Sequence, residues 1–295
     1  GDCCSDHAAL CAGGLTLATY NAGLAHGAVA LADERLAPII DELRGVDADV
    51  LCLQEVWLDD DAEAIQRGLA AEFPHGFRQV TENDQLTWFA CGLTEWYDLY
   101  QLNSCVSNEC TANGISAFEC VASQCAAAYA EIGDECKLCL AANTASPELC
   151  AAWRAPSYAN QGRNGLMVLS RTPIEAASYQ PFDTKVVRRG VIEARVQGRD
   201  LQCTHMSADL GSVPYPTGAA YRSWKEEHQA QVETLARLAD NRCTILLGDL
   251  NTGPASEGIT SELPANYDAV IGAGYVDYWD EGQVCTFCGE NPLVC

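Results

Sequence analysis

The stretch Thr244-Ile245-Leu246-Leu247-Gly248-Asp249-Leu250-Asn251 carries much of the information about the fold. Its first four residues form a short apolar run, which is typical of a buried β-strand. The chain turns polar immediately afterwards, so the pattern places Asp249 and Asn251 just past the end of a strand. Asp249 alone is also compatible with an ordinary turn, so the rest of the sequence has to decide between the two interpretations.

Three other polar side chains follow apolar or alternating runs in the same way. They are Asn21 after residues 15–20, Glu55 after residues 49–54, and His205 at the end of residues 200–205. Strand ends at one edge of a sheet converge in space, so we predict that these side chains line one cleft with Asp249 and Asn251. A carboxylate that ends a buried strand, such as Glu55, needs a partner or a cation.

The donor atoms of this predicted cleft favour a hard cation. Carboxylate oxygens come from Glu55 and Asp249, and amide oxygens come from Asn21 and Asn251. Such oxygen ligands suit Mg²⁺ or Mn²⁺, with Ca²⁺ as a further candidate, better than they suit zinc.

Seventeen cysteines in 295 residues are far more than a reducing compartment normally holds. We therefore predict a secreted, disulfide-bonded protein, and the first residues are interpreted as those of a mature chain without a signal peptide. Eight of the cysteines crowd into residues 91–150, where strand and helix periodicity is lost. This stretch is predicted to be a disulfide-stapled insertion with little core of its own.

Zinc binding is the alternative use of the cysteines. Cys136-x-x-Cys139 and Cys285-x-x-Cys288 have the spacing of zinc ligands, but the two pairs lie far apart in the sequence. A disulfide framework is favoured, and the odd total leaves at least one thiol unpaired or bound outside the chain. Three cysteines in strand-like runs are predicted to be buried thiols or to form a cross-strand pair: Cys52, Cys203 and Cys243.

The charge of the chain restricts its partners. Lysine and arginine number 17 against 41 aspartates and glutamates, so the formal net charge is 17 − 41 = −24. Such a charge excludes a broad basic face for nucleic acid, although a focused metal site can still handle one phosphodiester. No apolar run approaches the roughly 20 residues that a transmembrane helix needs.

The remaining pattern alternates helices and strands. Helices are predicted near residues 31–43, 60–72 and 219–239, and further strands near residues 166–170, 190–196, 267–271 and 275–279.

Several conspicuous side chains are given ordinary roles. The basic cluster Lys185, Arg188 and Arg189 is predicted to be a solvated strand edge rather than a phosphate contact. Three further histidines are predicted to lie on the surface: His26, His75 and His228. Five aromatic residues are predicted to form the small core of the insertion, with an exposed rim for lipid or substrate as the alternative: Trp88, Phe89, Trp96, Tyr97 and Tyr100.

Five short motifs occur in order along the chain. They are Tyr20-Asn21, Leu53-Gln54-Glu55, Asn164-Gly165 with Leu169-Ser170-Arg171-Thr172-Pro173, Thr204-His205-Met206, and Gly248-Asp249-Leu250-Asn251. The set resembles the endonuclease/exonuclease/phosphatase superfamily, also called DNase I-like, which includes nucleases, inositol phosphatases and bacterial sphingomyelinases. The resemblance covers about residues 15–279 apart from the insertion.

The resemblance implies an α/β (α+β) fold, namely a DNase I-like four-layer sandwich of two packed, mostly antiparallel sheets flanked by helices. It implies one domain over residues 1–295, interrupted by the insertion at about 91–150. The reaction it implies is metal-assisted in-line displacement at phosphorus. Carried over by position, the resemblance implies that Glu55 and Asn21 hold the metal and that Asp249 orients or deprotonates the attacking water. It implies that Asn164 and Asn251 contact the substrate phosphate. His205 would stabilise charge on the phosphoryl oxygens.

The sequence departs from the family pattern at one point. Members of the family normally finish with an Asp-His pair that supplies a second catalytic histidine, and no such pair follows Asn251. The favoured interpretation is that this segment was removed or comes from a second chain. A catalytically weakened relative is one alternative. A permutation that uses Ser5-Asp6-His7 is disfavoured, because only eight residues separate His7 from Thr16.

The sequence therefore predicts a secreted, divalent-metal-dependent phosphoester hydrolase, in the first place a phosphodiesterase. Its substrate would be a phospholipid headgroup or nucleic acid. The segment Thr204 to Ala208 and the helix with Gln229 and Gln231 look more like the sphingomyelinase branch, while nuclease activity stays open. The alternative from another class is an extracellular binding or structural module that keeps the fold without catalysis.

Overall fold

A computed structural model describes residues 14–276 of the chain, apart from residues 27, 30, 83–85, 89, 93–94, 111–119, 122, 145, 153, 212, 218, 240–241 and 255–260. The strands are β1 Leu17–Asn21, β2 Val50–Gln54, β3 His75–Phe77, β4 Leu86–Trp88, β5 Arg154–Pro156, β6 Met167–Ser170, β7 Ile174–Pro181, β8 Gly190–Val196, β9 Arg199–His205 and β10 Thr244–Asp249. The helices are α1 Ala32–Arg44, α2 Asp59–Gly68, α3 Trp96–Cys105, α4 Ala126–Ala130, α5 Asp134–Ala142, α6 Trp224–Ala239 and α7 Pro264–Gly272.

The strands form two four-stranded sheets and one small ribbon. The first sheet has the order β1-β2-β6-β3, the second has the order β10-β9-β8-β7, and β4 pairs with β5. Strands β1 and β2 run parallel, as do β9 and β10, whereas the other pairs are antiparallel. The predicted pair of mostly antiparallel sheets is therefore confirmed.

Alternating side chains along β2 divide the core into layers. Leu51 and Leu53 pack against helices α1 and α2, whereas Val50 and Cys52 face the second sheet. The outer face of the second sheet packs on α6 and α7, where Val232 contributes to the cluster. Because successive strand residues point to opposite faces, this single alternation produces the helix–sheet–sheet–helix sandwich that the resemblance implied.

A disulfide joins the two sheets through their shared core. Cys52 in β2 is bonded to Cys203 in β9, across a sequence separation of 151 residues. The predicted cross-strand pair is confirmed for these two residues. Cys243, which was predicted to be buried, is exposed.

The insertion is held together by disulfides. Its four described bonds are Cys91–Cys136, Cys105–Cys125, Cys110–Cys120 and Cys139–Cys150. Half-cystines make up most of its buried cluster, in which Leu102 and Ile132 are the larger aliphatic side chains. This arrangement agrees with the prediction of a stapled insertion, since disulfides take the place of a large apolar core.

The prediction that aromatic residues form the core of the insertion is wrong. Trp96, Tyr97 and Tyr100 on α3 are each about two-thirds exposed, and Trp88 is also exposed. Helix α3 turns Leu99 and Leu102 inward instead, and residues 96, 97 and 100 lie on its other face. Phe89 lies outside the described residues.

The strand predicted near residues 267–271 is also wrong, because these residues belong to helix α7. A short apolar run does not separate a buried strand from a buried helix. Pro264 in the first turn favours the helix, and Asn266 and Val270, one turn apart, are its buried residues. Helix α6 begins at Trp224, five residues later than predicted. In the last predicted strand, residues 277–279 lie outside the described part of the chain.

Among the described residues, none of the helices combines the length and the apolar character that crossing a bilayer requires.

Candidate active site

The ends of four strands from both sheets meet at one edge of the sandwich. Asn21 ends β1, Glu55 follows β2, His205 ends β9, and Asp249 ends β10, with Asn251 two residues later. Parallel pairing brings the strand ends together, because β1 and β2 end at one level and so do β9 and β10. We call these five residues the strand-end cluster.

Asn21 connects the two carboxylates of the cluster. Its Nδ2 donates hydrogen bonds to Glu55 Oε1 at 3.2 Å and to Asp249 Oδ2 at 2.8 Å. The same Asp249 oxygen lies 3.6 Å from Nε2 of His205. Residues from distant parts of the sequence thus lie within hydrogen-bond reach, as the strand-end pattern predicted.

The turn after β10 positions Asn251. Its backbone N–H donates to Asp249 Oδ1 at 3.0 Å, and its side-chain Nδ2 donates to the carbonyl of Met206 at 2.8 Å. Asn251 and Glu55 both have left-handed backbone, with φ of 47° and 57°. Such conformations are uncommon outside glycine and cluster at functional sites, so both side chains are aimed by unusual local geometry.

Gly248 permits the close approach of β10 to β9. Its φ is 145°, and a Cβ at this position would lie 2.0 Å from the carbonyl oxygen of Thr204. A side chain here would push the two strands apart. The glycine therefore sets the spacing between Asp249 and His205.

The two carboxylates differ in their electrostatics. Burial raises the pKa of Glu55 and the charge of Asp249 raises it further, against the opposing effects of Arg189 and the Asn21 N–H. Burial also works to raise the pKa of Asp249, but His205, the Asn21 N–H and the Asn251 backbone N–H outweigh it, so the pKa falls below its ordinary value. Asp249 is therefore the more readily ionised group, and Glu55 lacks sufficient positive charge nearby.

Arg189 is part of the site, which the sequence did not predict. It is 8% exposed, and its Nη1 lies 2.7 Å from Nδ1 of His205. Burial and the charge of Arg189 lower the pKa of His205 to about 3, so the ring is neutral at ordinary pH. The predicted solvated strand edge is therefore wrong for Arg189, because the residue before β8 points into the sandwich edge.

Trp57 forms a wall of the site and was also missed. It is 2% exposed, and its ring lies 5.6 Å from the guanidinium carbon of Arg189. Gly165 makes room for it, since a Cβ there would lie 2.7 Å from the indole ring. The Asn164-Gly165 motif pointed only indirectly to this contact. The Trp57 indole N–H faces Glu55, where it works to lower the pKa of that carboxyl.

Asn164 lies in the same region of the fold, but its side chain is hydrogen-bonded to backbone groups. It is 2% exposed, its Nδ2 donates to the carbonyl of Gln79, and its Oδ1 accepts from the N–H of Leu166. These bonds hold the segment that leads into β6. A contact between Asn164 and phosphate stays a prediction.

The donor set of the cluster fits a hard divalent cation. With Glu55 and Asp249 ionised and Arg189 protonated, these three groups have a net charge of −1. A cation at the Glu55 carboxylate, with Asn21 beside it, would offset the repulsion from Asp249 that raises the pKa of Glu55. Carboxylate and amide oxygens are the ligands that Mg²⁺ and Mn²⁺ prefer.

His228 supports the site from beneath and is not on the surface as predicted. It is fully buried, its Nε2 donates to the carbonyl of Leu250 at 2.8 Å, and its Nδ1 accepts from Asn266 at 3.0 Å. Leu250 lies between Asp249 and Asn251, so His228 fixes the turn that carries both. Burial lowers the pKa of His228.

We expect His228→Gln to change how stability depends on pH. The unfolded ring takes up a proton near pH 6.5, but the folded ring does so only at lower pH. Because the unfolded state then binds more protons, the free energy of unfolding falls as the pH decreases below 6.5. The contribution is at most about 1.4 kcal/mol per pH unit. Urea unfolding at pH 7.5 and 5.5 should therefore show a larger acid loss in the wild type than in the variant. Parallel losses in the two proteins would contradict this assignment.

The predicted alternatives at the chain ends fall outside the described residues. These are Ser5-Asp6-His7 and the Cys285-x-x-Cys288 pair.

The architecture is that of the DNase I-like fold, and sequence comparison identifies the family. The profile of the Endonuclease/Exonuclease/phosphatase family matches residues 18–291. The chain belongs to this family, whose members are generally hydrolytic phosphoesterases. No curated protein sequence matches the chain.

Solved structures of related fold have low sequence identity. Sphingomyelinase C from Streptomyces griseocarneus is 14% identical, with a TM-score of 0.46 and coverage of 88% of this chain and 69% of that one. An endonuclease/exonuclease/phosphatase from Beutenbergia cavernae is 17% identical, with a TM-score of 0.48 and coverage of 90% and 55%. A beta toxin variant from Staphylococcus aureus with bound magnesium ions is 9% identical, with a TM-score of 0.46 and coverage of 88% and 69%.

Proposed function

We propose that the chain is a secreted, divalent-metal-dependent phosphodiesterase. The observation that carries this proposal is the bridge from Asn21 to both Glu55 and Asp249, with His205 3.6 Å from the same Asp249 oxygen. Two acidic groups, an amide and a neutral imidazole at one sheet edge are suited to holding a cation, a water and a phosphoryl group together.

Each residue then has a distinct task. Glu55 and Asn21 would hold Mg²⁺ or Mn²⁺, and a bound cation would polarise the phosphoryl group and neutralise its developing charge. Asp249, as the more acidic carboxylate, would orient the attacking water and accept its proton as oxygen bonds to phosphorus. His205 and Asn251 would donate hydrogen bonds to phosphoryl oxygens while the ester oxygen leaves.

The role of Asn164 follows from its backbone contacts. We propose that it acts on phosphate by keeping Gly165 and Trp57 in place, and that a direct contact would use the N–H that Gln79 does not occupy.

Substrate choice is proposed at the level of a phospholipid headgroup first and nucleic acid second. The net charge of −24 disfavours long polyanions. The Ser207 and Gln231 side chains, part of the sphingomyelinase-like segment, hydrogen-bond each other at 2.7 Å and hold the loop after β9. Secretion is supported by the five described disulfides.

Glu55→Gln should weaken activation by metal. The substitution removes the charge that would bind the cation, so the Mg²⁺ concentration for half-maximal hydrolysis should rise by roughly 10- to 100-fold. The measurement is hydrolysis of bis(p-nitrophenyl) phosphate, sphingomyelin vesicles and DNA across a Mg²⁺ titration, repeated with Mn²⁺ and Ca²⁺. Glu63→Gln is the matched control, because Glu63 is exposed on α2 and pairs only with Arg67 among the described residues.

Two outcomes would count against the proposal. An unchanged Mg²⁺ response in Glu55→Gln would remove Glu55 from the metal site. Absence of hydrolysis of every substrate with all three metals would favour the extracellular binding or structural module instead.

A further inference from the structure

Arg189 is buried against the imidazole of His205, and the roles proposed above leave it unused. Its Nη1 lies 2.7 Å from Nδ1 of His205, and the two residues are 8% and 2% exposed. A guanidinium has only N–H donors and remains protonated in proteins. Arg189 must therefore donate this hydrogen bond, and Nδ1 of His205 must accept it.

This direction determines where the proton of the ring lies. An accepting Nδ1 must carry a lone pair, so the neutral ring of His205 carries its hydrogen on Nε2. Nε2 is the atom that faces Asp249, at 3.6 Å from Oδ2. A second ring proton would have to go on Nδ1, where it would point at a guanidinium.

We propose that Arg189 is a positioning residue that holds His205 as the Nε2–H tautomer. The consequence for catalysis rests on the proposed phosphodiesterase function. His205 then acts as a fixed hydrogen-bond donor toward the reacting group, and proton acceptance from water falls to Asp249. The tautomer itself is a property of the folded chain and is independent of any substrate.

The surroundings explain why the guanidinium stays in this place. The charges of Glu55 and Asp249 favour charged Arg189 and oppose the burial that lowers its pKa. The Trp57 ring covers the guanidinium carbon at 5.6 Å. These contacts give the group a defined position without a direct ion pair to either carboxylate among the described residues.

Nitrogen NMR tests the proposal directly. In chain labelled with ¹⁵N-histidine, long-range proton–nitrogen correlations distinguish protonated from unprotonated ring nitrogens, and the His205 signals are those lost in His205→Gln. We expect unprotonated Nδ1 and protonated Nε2 in the wild type from pH 5 to 8, with Mg²⁺ present. Arg189→Lys keeps a donor and should keep this tautomer, whereas Arg189→Met should give a mixture or the Nδ1–H form.

Kinetics separate positioning from a direct contact with phosphate. Positioning predicts that Arg189→Met lowers kcat by about 10- to 100-fold with little change in KM, and that Arg189→Lys restores most of it. Arg195→Met is the control, because Arg195 is an exposed arginine on β8, the strand that follows Arg189. A protonated Nδ1 in the wild type overturns the proposal, as does an unchanged tautomer in folded Arg189→Met. If no substrate is hydrolysed but the tautomer behaves as described, the proposed function fails and the positioning of the ring stands.

Discussion

Asp249→Asn is expected to lower kcat for phosphodiester hydrolysis by about 1000-fold. Asn21 donates to Asp249 Oδ2 at 2.8 Å, and the Asn251 backbone N–H donates to Oδ1 at 3.0 Å. The amide has nearly the same size as the carboxylate but only one acceptor oxygen, so it keeps one of these two hydrogen bonds. It cannot accept the proton of the attacking water. The loss should therefore appear in kcat, while KM and the Mg²⁺ requirement change little.

The same substitution should lower the stability of the fold modestly. In the folded chain burial works to raise the pKa of Asp249, but the surrounding donors and His205 lower it below its ordinary value, so the charge contributes to stability. The amide loses this contribution and one hydrogen bond. Steady-state kinetics test the expected loss of kcat, and thermal unfolding of the same preparation tests the expected change in stability. Asp41→Asn is the control, because Asp41 is 72% exposed and pairs with Arg44 on the same helix. A kcat within about threefold of the wild type would remove Asp249 from the chemistry.

The convergence of the strand-end cluster was predictable because two sequence signals coincide there. An apolar run predicts a buried strand, and a polar residue at its end predicts where the chain emerges. Asn21, Glu55, His205 and Asp249 each show both signals. Parallel pairing of β1 with β2 and of β9 with β10 aligns the strand ends within each sheet. The packing of β1 against β10 then brings the two pairs of ends together.

Arg189 and the aromatic face of α3 were not predictable for a common reason. A basic residue before a strand gives the same sequence pattern whether it faces water or a buried acidic cluster. Arg189 can be buried because the charges of Glu55 and Asp249, which are distant in sequence, favour its charged form. Helix α3 is short and carries aromatic residues on one face and leucines on the other, so either face could form the core. Which face is buried depends on where disulfides such as Cys105–Cys125 hold the helix, and connectivity cannot be read from cysteine positions.

Removal of the Cys52–Cys203 disulfide should have the largest effect on stability. The bond closes 151 residues of chain, and the disulfides of the insertion shorten this loop to about 100 residues. For a loop of that length, the chain-entropy model gives a loss of about 4.7 kcal/mol in the free energy of unfolding. Cys110→Ala/Cys120→Ala is the matched control. That bond closes only 10 residues, so its removal should cost about 3 kcal/mol. Urea unfolding of the two double variants measures the difference.

The two double variants should differ more in activity than in stability. Cys52 lies three residues before Glu55 and Cys203 two before His205, so this disulfide ties the sheet that carries one half of the strand-end cluster to the sheet that carries the other. A misplacement of about 1 Å between reacting groups can cost about 100-fold in rate. We therefore expect Cys52→Ala/Cys203→Ala to lower kcat/KM under conditions where the variant is still folded, whereas Cys110→Ala/Cys120→Ala changes stability alone. Equal activity of the two double variants would mean that sheet packing holds the two halves in register without the bond.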